Sequence, residues 1–313
     1  MTKPLLIIIS LALTLATSCP IGSMEDDVKN KIVTITKGYV QTSAGSLFYR
    51  DSRGIGPVVL CIHGNSTGSW LFKKLMRENP DIRFISFDSP GHGKSFRASE
   101  QMAEEIYCYS GCGKIFLEAL DQAEFEVKEF SILGISKGGH EAINLYALAP
   151  DRIKSLILSG TPPIPLIRDS EHAGQIVQAV FKPNPAGNLS SKAENFTEDE
   201  AREYLTANGL NPAEHPKKVK MAEQTDGRAR ALMFKAAHAN KRVDEVETLK
   251  AATIPVIILG GEDDALINYD YVRKMKWPPH VKIHIVQNED HSFVWNNPKQ
   301  FNEILMRYLS NDK

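Results

Sequence analysis

The sequence is poor in cysteine, has almost no net charge, and contains no apolar run long enough to cross a membrane as a helix. Four cysteines in 313 residues exclude a disulfide scaffold. With Cys19 set aside, Cys61, Cys108 and Cys112 are an odd set that cannot all pair. A chain of this length buries its core without such staples. A formal net charge of −1 excludes the basic footprint of a nucleic-acid partner or of an acidic membrane surface. It points to a small substrate that gross charge does not select. The longest apolar stretch, Leu5 to Ala16, has 12 residues, whereas a spanning helix needs about 20. No cysteine and histidine spacing fits a zinc site. There is no internal repeat and no low-complexity segment.

What is present begins with that short apolar run. Lys3 precedes it, and Ala16, Thr17, Ser18 and Cys19 follow. A positive start, an apolar centre and small residues make the layout of a secretory signal over residues 1–18. Small residues before a cysteine resemble a bacterial lipobox, in which Cys19 becomes a lipidated N-terminus, although Ala16 stands where leucine is usual. Ordinary cleavage near Ala16 or Ser18 is the alternative. The expected location is outside the cytoplasm: periplasmic or lipid-anchored at Cys19 in a bacterium, secreted otherwise.

The remainder alternates between strands and helices. Gly38–Thr42 and Ser46–Asp51 read as a hairpin. Pro57–Ile62, Arg83–Phe87, Phe130–Ile135, Ile153–Leu158, Ile254–Leu259 and Val281–Val286 are short apolar runs of the kind that parallel sheets bury on both faces. One long helix is expected from Ala98 to Glu126, and others at Lys137–Ala147 and Pro298–Leu309. Residues 161–251 break the alternation with helical patterns alone. Ile176, Val177, Val180 and Phe181 fall at helical spacing, and Thr197 with Glu200 reads as a capping box. The expected architecture is α/β: a mainly parallel eight-stranded sheet flanked by helices. Its core spans residues 38–160 and 252–311, and an inserted helical cap spans 161–251. Cys61 reads as a small buried hydrophobe, and Cys108 and Cys112 as two thiols on one helix face.

Gly134-Ile135-Ser136-Lys137-Gly138 is a G-x-S-x-G element between a buried strand and a helix, the context of a nucleophile elbow. A serine hydroxyl needs a base to take its proton. In this fold the order is serine, acid, histidine. Asp264 follows the strand Ile254–Leu259, and His291 follows Val281–Val286, so Ser136, Asp264 and His291 form the expected triad. Asp263 competes with Asp264 for the acid position, and Glu262 is a weaker rival. His63 and His92 read as organisers of turns, and His140 and His284 lie within a helix and a strand. His172, His215, His238 and His280 read as solvent-facing. The oxyanion hole needs two N–H donors. Lys137 supplies one, and Asn65 the other through its backbone, with its side-chain amide as an available aid. Asp88–Ser95 carries glycines but lacks phosphate-loop spacing, and reads as a structural loop.

The segments HGNSTGS (63–69), DSPGHGKS (88–95), GISKGGH (134–140) and GGEDD (260–264) resemble the α/β-hydrolase superfamily. SGTPP (159–163) and TDGRARALMF (225–234) resemble more narrowly its N-acylhomoserine lactonases. The resemblance covers nearly all of the chain after residue 38. It implies Ser136 as nucleophile, His291 as base and Asp264 at an acid position where that family can carry glutamate. Asn65 and Lys137 would be the oxyanion donors, and Tyr204 would touch the lactone. On the residues alone, Tyr204 is equally a packing residue of its helix. Two departures stand out. Ile135 and Lys137 flank the serine where bulkier apolar residues are common, so a lysine bears on pocket charge. An export signal is not needed for intracellular signal degradation. The dense H-x-H-x-D-H cluster of metal-dependent lactonases does not occur.

The expected activity is therefore cofactor-free and metal-independent serine hydrolysis of a carboxylic ester or lactone, foremost the ring of an N-acyl-homoserine lactone. The apolar face at Ile176, Val177, Val180 and Phe181 is expected to hold the acyl chain. The alternatives are a general carboxylesterase or small ester or amide hydrolase, and an inactive binding protein on the same scaffold. The expected partner is the small substrate, with no nucleic acid, and a membrane only through lipid at Cys19.

Overall fold

A computed structural model describes residues 34–184 and 187–310. The expected export signal and Cys19 lie outside these residues. Eight strands form one sheet: β1 (Thr36–Thr42), β2 (Gly45–Asp51), β3 (Val58–Ile62), β4 (Arg83–Phe87), β5 (Phe130–Ile135), β6 (Ile153–Ser159), β7 (Val256–Gly261) and β8 (Val281–Val286). Their order is β1-β2-β4-β3-β5-β6-β7-β8. Strand β2 runs antiparallel to β1 and β4, and every other pairing is parallel.

The apolar runs are continuous because both faces are covered. Along β3, Leu60 and Ile62 enter one core cluster while Val59 and Cys61 enter the other, the period-2 alternation of a strand between two layers. Cys61 is thus a core residue, as its sequence context indicates.

Along the chain the helices are α1 (Lys73–Glu78), α2 (Glu100–Ile106), α3 (Tyr109–Leu120), α4 (Lys137–Leu148), α5 (Ser170–Val180), α6 (Glu198–Ala207), α7 (Pro216–Gln224), α8 (Gly227–His238), α9 (Glu245–Ala251), α10 (Tyr269–Lys274), α11 (Phe293–Asn296) and α12 (Pro298–Ser310). The single helix expected from Ala98 to Glu126 is instead α2 and α3. Cys108 between them is extended, with φ −104° and ψ 163°, and its Sγ accepts the Gly111 N–H at 3.3 Å. A side chain at Gly111 would put its Cβ 2.0 Å from the Glu105 carbonyl oxygen, so the break depends on glycine there. Cys108 therefore caps α3 and does not share a helix face with Cys112. Both are free thiols.

Between β6 and β7 the chain passes through α5 to α9. Thr197 and Glu200 form the expected capping box at the start of α6. Phe196, Ala201, Tyr204, Leu205, Leu210, Val219 and Ala222 bury one another in a small core belonging to this insertion. Arg230 on α8 ties it to the sheet. Its guanidinium is fully buried and lies 3.7 Å from the Phe196 ring centroid. It donates to the carbonyls of Lys192 and Glu194 and to Ser66 Oγ. Arg230→Met would leave those acceptors unpaired inside the protein. The expected loss is about 2–4 kcal/mol of unfolding free energy, measurable by denaturant titration.

Candidate active site

Ser136 sits where β5 ends and α4 begins, with φ 52° and ψ −119°. That backbone is strained for a residue with a side chain, costing about 1–3 kcal/mol. The surrounding glycines make the turn sterically feasible. A Cβ at Gly134 would lie 2.5 Å from the Gly138 carbonyl oxygen, and one at Gly138 would lie 2.2 Å from that of Ile62. The turn is held by the Ser136 N–H donating to Ser159 at 2.7 Å and by Thr161 Oγ1 donating to the Ser136 carbonyl at 2.8 Å.

His291 stands beside the serine. Its Nε2 lies 3.2 Å from Ser136 Oγ and its Nδ1 lies 2.9 Å from Asp264 Oδ2. With the proton on Nδ1, the imidazole donates to Asp264 and accepts from the serine hydroxyl. Asp264 is fully buried, and its other oxygen accepts the N–H groups of Leu266 and Ile267 at 2.8 and 3.0 Å. Burial alone would push its pKa up. The His291 charge and these hydrogen bonds outweigh that and hold it below the ordinary aspartate value. Asp263 and Glu262 are exposed, and Glu262 faces Arg273. Neither is joined to His291. Gly160, with φ +64°, leaves room for the ring: a Cβ there would approach His291 Cε1 to 3.1 Å.

Asn65 and Ser136 line one cavity. The N–H of Asn65 donates to no other described residue. Lys137 opens α4, where the first amides have no helical acceptor. Both backbone donors named from the sequence therefore flank the serine. The Asn65 side-chain Nδ2 donates one of its two hydrogens to the Ser190 carbonyl at 2.9 Å. The Lys137 side chain departs from expectation. It is buried against Glu141 at 2.7 Å and Ser89 Oγ at 3.1 Å and is not among the cavity-lining residues. It leaves the pocket charge unaltered.

The cavity with its open mouth, solvent included, spans about 540 Å³. Leu71, Ile135, Leu205, Leu210, Val294 and Trp295 supply its apolar wall. Tyr204 also lines it, with its hydroxyl 3.4 Å from the Asn65 carbonyl, so packing and contact with a ligand are both open to that side chain. Burial pushes the Tyr204 phenol up to about 12, and it stays protonated at neutral pH. The face at Ile176, Val177, Val180 and Phe181 does not line the cavity. Val177 is exposed, Val180 is fully buried, and Phe181 bridges to Ile267. That face packs the insertion and is not an acyl-chain site.

His63 and His140 have structural partners. His63 Nε2 accepts the Ser89 N–H at 2.8 Å, and burial with the nearby Lys137 charge pushes its pKa down to about 3. His140 pairs with Glu245 at 2.9 Å. In the Asp88–Ser95 loop, Asp88 accepts the N–H groups of Ser69 and Lys94, which makes the loop a structural one. Among the described residues, no group of three or more His, Cys, Asp or Glu side chains is placed to hold a metal ion.

The cavity has one cationic lining residue that sequence patterning does not mark. Lys218 on α7 is 3% exposed. The overlooked signal is that Lys218 shares the stripe of Val219 and Ala222, both of which are buried.

A serine on a strained strand–helix turn, backed by histidine and a buried aspartate beyond the ends of parallel strands, defines an α/β hydrolase. The chain belongs to that family: the α/β-hydrolase fold model matches residues 57–298. Among solved structures, a mutant of the N-acyl homoserine lactonase AidH complexed with N-hexanoyl homoserine is 28% identical. It covers 90% of this chain and 98% of its own, with a TM-score of 0.79. Another AidH mutant, complexed with N-hexanoyl homoserine lactone, is 27% identical with a TM-score of 0.80, covering 89% of this chain and 99% of its own. A 2-hydroxy-6-oxononadienedioate/2-hydroxy-6-oxononatrienedioate hydrolase from Paraburkholderia phymatum is 21% identical over 88% of this chain and 96% of its own length.

Proposed function

We propose that the protein is a serine-dependent hydrolase of carboxylic esters and lactones, with ring opening of N-acyl-homoserine lactones as its foremost activity. The observation that carries the chemistry is the unbroken chain Ser136 Oγ, His291, Asp264 at the wall of a mainly apolar cavity. The lactone assignment draws its support from the likeness to AidH, whose solved complexes hold the lactone and the opened homoserine product.

In this reading His291 takes the proton as Ser136 Oγ attacks the carbonyl carbon. The amides of Asn65 and Lys137 hold the oxyanion, each worth about 100- to 1,000-fold in turnover. Collapse of the tetrahedral adduct breaks the C–O bond. His291 returns its proton to the departing alkoxide, which in a lactone stays tethered to the acyl group. Water, deprotonated by His291, then releases the acid and frees Ser136. The first test is a panel of acyl-homoserine lactones and simple acyl esters with purified protein. Ring opening followed by alkali uptake supports the lactone reading. Ester cleavage with no lactone opened overturns it and leaves a general carboxylesterase.

His291 also sets the pH dependence. Burial pushes its pKa down, but the Asp264 charge, their hydrogen bond and nearby Asp290 carry it above the ordinary imidazole value. The base must be neutral, so activity is present above that pKa and lost as pH falls through it. The acid limb of kcat/KM is expected above pH 6.5, and Asp264→Asn is expected to move it lower, as a pH–rate profile of the residual activity would show.

A further inference from the structure

Lys218 lines the same cavity as Ser136 and His291. Its Nζ is buried and has no hydrogen-bond partner among the described residues. The nitrogen lies 3.3 Å from the ring centroid of Trp295, another lining residue. An indole face attracts a cation but accepts none of its three N–H donors in the way an oxygen does. The insertion thus places a long basic side chain in an apolar wall and provides no carboxylate for it. Burial pushes its pKa down to about 7, so near neutral pH the side chain is divided between amine and ammonium. A buried cation with no counter-ion is costly. An incoming anion removes that cost and restores the proton.

We infer that Lys218 is the specificity-determining residue of this site, binding a carboxylate that the substrate carries away from the scissile bond, so that acidic esters are preferred over neutral ones of equal length. The inference rests on the ester-hydrolase part of the proposed function and competes with its lactone part, because an N-acyl-homoserine lactone carries no carboxylate. Desolvated pairing of this kind typically changes affinity by about 10- to 100-fold. It acts through binding, so the effect appears in KM more than in kcat.

The pH dependence has a definite sign. The ammonium is present below about pH 7 and lost above it. The advantage of the acidic substrate should therefore shrink as pH rises from 6 to 9. The other titratable groups nearby are His291 and Tyr204 on the cavity wall, Asp290 beside His291, and His215 at the start of α7, whose pKa burial and Lys218 both lower. Tyr204 stays protonated over this range. The titration of His291 acts on both substrates and cancels in their ratio.

The test compares mono-p-nitrophenyl adipate with p-nitrophenyl hexanoate in wild type, Lys218→Met and Lys218→Gln. The expected wild-type result is kcat/KM at least about tenfold higher for the acidic ester at pH 6, with the difference in KM. Both variants should abolish the preference while Ser136 still reacts with a fluorophosphonate, which shows that the site has folded. A wild-type ratio at or below one, or a ratio that both variants leave intact, overturns the proposal. Calorimetric titration of Ser136→Ala with monomethyl adipate and neutral methyl hexanoate decides the matter without turnover. Monomethyl adipate should bind more tightly, and the Lys218→Met change should erase the difference; equal binding of the two esters is the opposing result. If neither ester is cleaved and Ser136 is not labelled, the hydrolase reading fails, and the titration still judges Lys218.

Discussion

Ser136→Ala is expected to lower kcat by about a millionfold toward any ester or lactone the protein turns over, and to abolish labelling by a fluorophosphonate. The size follows from the geometry. Ser136 Oγ is the atom within hydrogen-bonding reach of His291 Nε2, at 3.2 Å. Alanine removes the nucleophile and leaves a base with nothing to deprotonate except water. Replacing Ser136 and His291 together should therefore cost little more than replacing either, because the two act as one unit. A small residue from oxyanion binding would remain. Fold stability should change little, since the strained φ of 52° is held by hydrogen bonds of its backbone to Ser159 and Thr161 that alanine keeps. Single-turnover kinetics with a chromogenic ester, together with intact-protein mass after labelling, measure both effects. Turnover or labelling persisting in Ser136→Ala would place the nucleophile elsewhere. A wild type that neither reacts nor labels would instead favour a binding protein on this scaffold.

Much of this was legible before any coordinates, and the reasons are local. Parallel strands buried on both faces leave short continuous apolar runs such as Val58–Ile62 and Val256–Gly261. Nucleophile elbows need glycine on both sides of the serine, so Gly134 and Gly138 mark the turn in the sequence. The positions of Asp264 and His291 follow from strand ends. What was not legible depends on where side chains turn. Lys137 and Lys218 look alike in sequence, and the neighbour of the nucleophile seemed the one to charge the pocket. In the structure Lys137 is consumed by Glu141, while Lys218 on a distant helix enters the cavity wall. The apolar spacing at Ile176 to Phe181 identified a helix correctly but could not say what its face meets. Cys108 illustrates a third limit: a helix break set by one close approach, at Gly111, leaves no mark on hydrophobic periodicity.

Asp264→Asn should reduce kcat by about 10,000-fold, whereas Asp263→Asn should change it by less than about threefold. The two residues are adjacent in sequence and identical in side chain, so the contrast tests position alone. Asp264 Oδ2 meets His291 Nδ1 at 2.9 Å, and its Oδ1 is fixed by two backbone N–H groups. Asparagine in the same place could present its NH₂ to the histidine, which would then carry its proton on Nε2 and point it at the serine. The base would be lost through the wrong tautomer, and the imidazolium of the transition state would lose its counter-charge. Asp263 is exposed and joined to His291 by no hydrogen bond, so its charge is screened by water. Both variants should still react, though slowly for Asp264→Asn, at Ser136 with a fluorophosphonate. Lys182 adds a control: its Nζ donates to the Asp264 backbone carbonyl at 2.6 Å and not to the carboxylate. Lys182→Met should therefore perturb activity far less than Asp264→Asn. If Asp263→Asn proved the damaging change, the loop after β7 would have to turn by one residue in the working enzyme, and the buried hydrogen bonds of Asp264 would be structural alone.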